Sequence, residues 1–508
     1  MSKYIFRKNT EIGSLDAETD VFLNECFHET ELFESLLKFD TQDPSFNKRI
    51  IVGRTGSGKT ALLKQVRDGE GLITAEIKAE ETIFEYVNNH VFISKLAKNG
   101  IDLRIFYKSL WIHVLLVKII ALSASKRGED GWISDIKDWV KRSSVKNRNT
   151  ILANEYIDSY TGRFFNDEVI TEIADKMEMH LKTGVSGIGE GGITEEVRKN
   201  IQTTTSRYVS TELISKQREL IKYFSEELNP NQKRIVITID DLDKSWLSQS
   251  DVRYDFINSL LDAFKDLLDI KAVKIIISIR SDILIGIYSK NLRQDEKDRS
   301  LIATLNWSEP EIGDILDKRI DYLIKNRYSG SQSVNFHEIF NFNVKGLPAY
   351  QYISERVMRR PRDAIDFVNK CFSHADGRTE LHEDWVLLGE EMFFESRKLA
   401  LQKEWQSLYP DILHYIDGIH YLNEASFFAN EATFKSVLEH LQNTCTQNEE
   451  IALEWQKILN VWFLIGLVGI VKSATSVFYS NFEKSRLDLS DYDKKFIVHP
   501  LFWRKLHF

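Results

Sequence analysis

From residue 53 to residue 60 the chain reads Gly53, Arg54, Thr55, Gly56, Ser57, Gly58, Lys59, Thr60. Three glycines, a lysine and a hydroxyl at this spacing suit the gripping of a phosphate chain. Glycine lets the backbone wrap close to phosphate oxygens and turn its N–H groups inward, so the whole run, Arg54, Thr55 and Ser57 included, can form a cradle. Lys59 carries a point charge that reaches β- and γ-phosphates, and the Thr60 hydroxyl can ligate Mg2+. The flanks fit as well. Ile50, Ile51 and Val52 precede the run, and Leu62, Leu63 and Val66 follow it at helical spacing. Strand, glycine turn and helix are the context such a loop needs, and the helix N-terminus adds partial positive charge.

A loop of this kind binds a nucleotide. Hydrolysis also needs a placed Mg2+ and a water aimed at the γ-phosphorus. Residues 235–239 are consecutive, mostly β-branched residues, and Asp240, Asp241 and Asp243 follow. Such a run suits a strand buried on both faces of a parallel sheet, with its acids at the carboxyl end, where ligands sit in open α/β sheets. Asp240 is expected in the Mg2+ shell, Asp241 as the group that polarises the attacking water, and Asp243 as a loop or helix-cap residue. A second apolar run, 273–279, ends at Arg280. That arginine either senses the γ-phosphate or pairs with an acid of the preceding turn. Arg360 and Arg362 can approach the nucleotide from downstream helices, and Arg299 or Arg319 can serve as an arginine finger for a neighbouring subunit.

The elements that must position these residues follow from periodicity. Residues 1–47 read as one or two helices before the first strand, and 72–77 as a second strand. Residues 103–122 are apolar on most faces and belong inside a helical insertion; 211–228 is an amphipathic helix. Between the two apolar strands, 251–270 is amphipathic, so strand, helix and strand form a right-handed parallel crossover. Helices follow at 309–324 and 349–371, the latter broken at Pro361. The C-terminal region is helical through about Val471, with short strands at 476–480 and 495–499. Helix and strands around a turn there suggest a winged helix, or else a helical cap with a hairpin. The fold class is α/β: a parallel P-loop sheet with a large helical insertion, a helical lid and a mostly α C-terminal region. The expected division is 1–80, N-terminal helices and phosphate loop; 81–228, insertion; 229–305, acidic and sensor strands; 306–375, lid; and 376–508, C-terminal region.

Composition narrows the alternatives. The 508 residues are 43% hydrophobic with a net charge of −9, which does not advertise nucleic-acid or anionic-membrane binding. Cys26, Cys371 and Cys445 are far apart, so no disulfide framework or zinc motif is read. The polar N-terminus is not a signal peptide, and the apolar run 461–471 is too short to span a bilayer, so a cytoplasmic location with no membrane partner is expected. Gly187, Gly189 and Gly192 spell a dinucleotide-like GxGxxG, but no strand precedes it, and a linker is the reading. The basic run 141–148 reads as a solvated loop.

With these motifs in hand, the chain resembles the additional-strand P-loop ATPases, the broad group that holds AAA+, STAND and KAP-type proteins. The resemblance rests on GRTGSGKT at 53–60, IVITIDDLD at 235–243, IIISIRSD at 275–282, RRPRDAIDF at 359–367 and DEKDRSLIATLNW at 295–307. It implies ATP and Mg2+ as ligands, a sensor strand between the phosphate-loop and acidic strands, a helical lid and often a C-terminal winged helix. The second acid is Asp241 rather than the Glu typical of AAA+, which points towards STAND and KAP relatives. Gly346, Leu347 and Pro348 match the lid GxP element of STAND proteins. Bacterial ATPases of this kind occur in phage-defence and conflict loci. The expected function is therefore an ATP-hydrolysing switch, homo-oligomeric, that controls a separately encoded effector. One alternative is an origin-binding or repair-type ATPase holding DNA through the C-terminal region, and another is a nucleotide-gated scaffold without turnover.

Overall fold

The computed structural model describes residues 5–7, 9–78, 90–124, 169–185, 194–240, 242, 252–290, 294–327, 333–445, 454–474 and 476–505. Contacts divide the chain into two compact units. One holds Met1–Thr30, Val52–Ala61 and Thr304–Phe508; the other holds Glu31–Ile51 and Leu62–Ala303.

A five-stranded parallel sheet has the order β2-β3-β4-β1-β5, and all of it but the last residues of β1 and β5 belongs to the second unit. The strands are β1 (Ile50–Gly53), β2 (Ile73–Lys78), β3 (Ile235–Asp240), β4 (Val273–Arg280) and β5 (Ile302–Thr304). Every residue of β3 is buried, and so is β4 up to Ser278 and Ile279, which is why both read as continuous apolar runs. β4 lies between β1 and β3, the place expected for the sensor strand; its Ile277 N–H donates to Arg49 O at 2.8 Å. Parallel strands in this order bring the carboxyl ends of β3 and β4, and hence Asp240 and Arg280, to one edge of the sheet.

Helix Val252–Asp266 crosses from β3 to β4, and helix Arg104–Ala124 packs against it: the Trp111 indole donates to Phe256 O at 3.2 Å. Residues Arg104–Ser123 are long and apolar enough to cross a membrane, but 67% of that segment is buried inside the protein. Lys274, fully buried as the second residue of β4, donates to Ser35, Leu36 and Lys38 carbonyls at 3.0, 3.0 and 2.8 Å. It thereby caps the carboxyl end of helix Glu31–Leu37. Burial, with Arg49 beside it, pushes the Lys274 ammonium down to about 7.

The first unit contains the phosphate loop, the lid helices and a C-terminal domain. Helix Glu309–Arg327 opens the lid, and a two-stranded hairpin, β6 (Asn343–Val344) and β7 (Leu347–Pro348), turns through Lys345 and Gly346 at positive φ. One helix, Ala349–Arg356, ends at the extended Val357, and Pro361 starts the next, Pro361–Ser373. Helix Glu383–Trp405 follows.

The C-terminal domain runs helix Ile412–Asp417, β8 (Ser426–Phe428), helices Glu431–Thr444 and Trp455–Ile465, then β9 (Val468–Ser473), β10 (Ser476–Phe478) and β11 (Lys495–Val498). Its sheet order, β10-β9-β11-β8, with helices between the first two strands, is the topology of a winged helix with one added edge strand. Here the sequence reading is corrected. The helix does not continue to Val471 but ends at Ile465, because Gly466 takes φ +83° and turns the chain into β9.

Candidate nucleotide site

β1 is buried along its length and hands the chain to the loop at Gly53. Gly56 and Gly58 stand at φ +81° and +92°, a region that side chains resist. Space excludes a side chain too: a Cβ on Gly56 would lie 3.0 Å from the Arg362 Cβ, and one on Gly53 would collide with Ser57 Oγ. Helix Lys59–Arg67 begins on the last two residues of the loop, which places its unpaired N–H groups and positive dipole end there. Lys59 Nζ donates to Gly53 O at 3.0 Å and Arg54 O at 3.1 Å, so its ammonium lies back over the start of the loop. The Ser57 hydroxyl is buried without a hydrogen-bond partner among the described residues. Glycine conformation, helix end, lysine and orphaned hydroxyl all fit a bound phosphate chain.

The outer side of the loop is held carbonyl by carbonyl. Thr55 O accepts from Arg360 Nη1 at 3.0 Å, Gly56 O from the Arg362 backbone N–H at 3.3 Å, and Ser57 O from the Trp307 indole at 2.7 Å. Within the loop the Ser57 N–H donates to Arg54 O at 3.1 Å; with three consecutive carbonyls also tied to the lid, the loop's shape is fixed before any ligand enters. The Arg54 guanidinium turns to the C-terminal domain. Nη1 donates to Ile465 O at 3.0 Å, and Nη2 to Leu464 O and, at 2.7 Å, to Ser480 Oγ.

Asp240 ends β3 at 7% exposure, in register with Lys78 of β2. Asp241 and Asp243 lie outside the described residues, as do the 141–148 run and the glycines at 187, 189 and 192. Arg280 ends β4 and grips Asp282 with both arms, Nε to Oδ1 at 2.9 Å and Nη2 to Oδ2 at 2.8 Å. This carboxylate, two residues on and buried, was not among the partners read from sequence.

Arg360 is 2% exposed; besides Thr55 O it holds Glu404 Oε2 at 3.0 Å, and Glu404 also has Arg397 Nη2 at 3.9 Å. Arg362 lays its stem along Gly56 and sends Nε to Leu15 O at 3.0 Å. Arg319 is corrected as a finger for a neighbouring subunit. It is buried in its own unit, with Nη2 on Asp20 at 2.6 Å and Nη1 on Ile12 O at 2.9 Å. Arg299 is exposed.

Sequence reasoning gave no role to Trp307, Glu404, Gly466 or Ser480. Trp307 closes one of the quoted family segments, and its position just after β5 is the one local signal any of the four offered. Among the described residues, His90, Asp175 and Glu178 are close enough to hold a metal ion. His90 Nδ1, however, accepts the Ile93 N–H at 3.4 Å, which leaves the proton on Nε2 for Asp175 at 3.0 Å. That tautomer makes the group a hydrogen-bonded helix cap.

Residues 50–302 match the KAP family P-loop domain, and residues 310–402 match the FunZ-associated C-terminal helical domain. A transposon gamma-delta 80.3 kDa protein of Escherichia coli (strain K12) is 21% identical over 100% of this chain and 68% of its own length. Among solved structures, the Walker-type ATPase PABY2304 of Pyrococcus abyssi is 12% identical with a TM-score of 0.38, covering 95% of this chain and 96% of that one. The ORC2 protein of Aeropyrum pernix is 12% identical with a TM-score of 0.34, covering 89% and 84%.

Proposed function

We propose that this chain, whose fold is that of a P-loop NTPase, binds and hydrolyses ATP and uses the cycle as a switch. The observation that carries the reading is the loop itself. Gly56 and Gly58 take left-handed conformations at the start of helix Lys59–Arg67, and three loop carbonyls are tied to the lid; that conformation at a helix N-terminus suits a phosphate chain. In this reading the loop N–H groups and Lys59 bind and orient the phosphates, and Thr60 and Asp240 hold the ion. Mg2+ in such a site neutralises charge that develops on the β- and γ-phosphate oxygens. Asp241 accepts a hydrogen bond from the attacking water and aims it, and Arg280 is oriented by Asp282 as the sensor-strand cation.

The proposed biological setting is a bacterial defence or conflict system, with ATP state read out by a separately encoded effector. The family resemblance and the similarity to a transposon protein support it. The proposed protein is cytoplasmic and homo-oligomeric, the oligomer being the usual setting in which such ATPases exchange arginines between subunits.

The winged-helix topology favours a second reading, duplex DNA as partner. Helix Trp455–Ile465, in the position of a recognition helix, weighs against it. Its exposed residues are Gln456 and Lys457, and Asn460 is tied to the Leu487 N–H at 3.0 Å. One basic side chain is a poor match to a phosphate backbone.

The test is ATP turnover by the purified chain with and without duplex DNA, beside Lys59→Ala and Asp241→Asn. Lys59→Ala should lose ATP binding. Asp241→Asn should keep binding and lose turnover by about 10²-fold or more. Turnover unchanged in both variants refutes the reading. ATP bound without turnover by the unaltered chain makes it a nucleotide-gated scaffold, and strong salt-sensitive stimulation by DNA makes the second reading the better one.

A further inference from the structure

Helix Trp455–Ile465 ends in a way that leaves work for another group. Gly466 N–H donates to Phe463 O at 3.0 Å and Leu467 N–H to Trp462 O at 2.8 Å, the paired bonds of a Schellman turn. These satisfy the carbonyls of residues 462 and 463 and leave those of 464 and 465, the last two of the helix. Both are taken by Arg54, and Ser480 Oγ, which donates to Leu464 O at 2.9 Å, accepts from Arg54 at 2.7 Å. A cation at the carboxyl end of a helix is also favoured by the helix dipole.

The pocket is shaped for this side chain. A Cβ on Gly466 would lie 2.8 Å from Arg54 Nη1, so glycine serves both the turn and the arginine. Residue 54 belongs at the same time to the phosphate loop. Its carbonyl accepts from Lys59 Nζ at 3.1 Å, and Thr55 O, next along, is held by Arg360.

We propose that Arg54 is a latch that joins the phosphate loop to the C-terminal domain, so that nucleotide in the loop and the seating of helix Trp455–Ile465 are thermodynamically linked. The proposal rests on the nucleotide reading of the loop. It gives the C-terminal domain a task within its own chain: it senses loop occupancy through a side chain that touches both. When Lys59 turns to phosphate, the Arg54 carbonyl loses the ammonium and keeps the Ser57 N–H, at 3.1 Å, so the peptide that carries the latch changes its bonding with loop occupancy. Linkage runs in both directions, so whatever displaces the end of the helix also changes the affinity of the loop. Arg54 is thus a positioning residue. Lysine replaces it only in part, because a single ammonium does not reproduce the guanidinium's planar fork across two carbonyls and a hydroxyl.

The experiment is hydrogen exchange on the full chain, with and without Mg2+–ADP, read in the peptide spanning residues 462–468. Nucleotide should slow exchange there about fivefold or more in the unaltered chain. In Arg54→Ala nucleotide should still bind, about tenfold more weakly, and the slowing should vanish. Arg54→Lys and Ser480→Ala should keep part of it, and Gly466→Ala should behave as Arg54→Ala. If Arg54→Ala fails to fold, Ser480→Ala carries the test through its partial loss. Arg54→Ala with the slowing intact overturns the latch, and so does an unaltered chain that binds ADP with no change in this peptide. Failure of the unaltered chain to bind any nucleotide is a different result: it overturns the proposed function. The latch contact itself would then still be read by faster exchange of this peptide in nucleotide-free Arg54→Ala.

Discussion

Replacing Arg360 by methionine should destabilise the protein and weaken nucleotide binding without altering the choice between ATP and ADP. The arginine is 2% exposed and bridges Thr55 O and Glu404 Oε2, each at 3.0 Å. Methionine keeps most of the stem volume but leaves Glu404 in a site where it is itself 2% exposed. Removing one partner of a buried ion pair costs about 3–5 kcal/mol. The lower end applies here, about 3 kcal/mol, because Arg397 Nη2 stands 3.9 Å from the same carboxylate.

Two readouts follow. Urea unfolding followed by tryptophan fluorescence should show that loss for Arg360→Met and much less for Arg360→Met with Glu404→Met. The pair, once removed together, leaves no stranded charge, so the cycle should give a coupling of about 2 kcal/mol. Calorimetric titration should show ATP and ADP weakened alike, about tenfold, since what is lost is the tie on Thr55 O. A cost under about 1 kcal/mol for Arg360→Met, with affinity lost for ATP alone, would overturn this role for Arg360. That outcome would put the guanidinium on the γ-phosphate.

The remaining expectations concern charge and pH. Burial, with Arg356, Arg359 and Arg360 nearby, pushes the His499 imidazole down to about 3 from 6.5. Below pH 6.5 the unfolded chain takes up a proton the folded one refuses, so stability should fall as pH drops towards 3, by up to about 1.4 kcal/mol per pH unit. Acid titration of His499→Gln should lose that slope. Lys274 works in the alkaline window. Between about 7 and 10.5 the folded lysine gives up a proton, and with it one of its three donated bonds, while the unfolded one stays charged, so stability should rise with pH there, by up to about 1.4 kcal/mol per unit. Unfolding of Lys274→Met at pH 7 and pH 9 should show the rise removed.

The parts of the fold that were legible are those written in one local pattern. β3 and β4 announce themselves because burial on both faces forces unbroken runs of Ile and Val, and the loop because Gly56 and Gly58 need conformations that other residues resist. The C-terminal sheet was misread for the opposite reason. Leu464 to Val471 is apolar throughout, so helix and strand share one composition, and the single mark between them is the positive φ of Gly466. β8 is three residues long, too short to show a period. The partners of the site were the least legible. Nothing local marks Glu404, late in a helix of mixed faces, as the carboxylate of Arg360, or Leu464 and Ile465 as acceptors for Arg54. The arginines were read as free to reach phosphate because sequence shows a side chain's charge but not the carbonyls already waiting for it.

The proposed function requires Thr60 and Asp240 to act on one magnesium ion held with ATP. The direct test is the Mg2+ dependence of ATP affinity in Thr60→Ala, Asp240→Asn and the double variant. Two ligands of one ion should be strongly non-additive, with a coupling of about 1 kcal/mol or more, and the double variant should bind little worse than either single. Losses that add to within about 0.5 kcal/mol would mean that the two residues serve different tasks and would contradict the account.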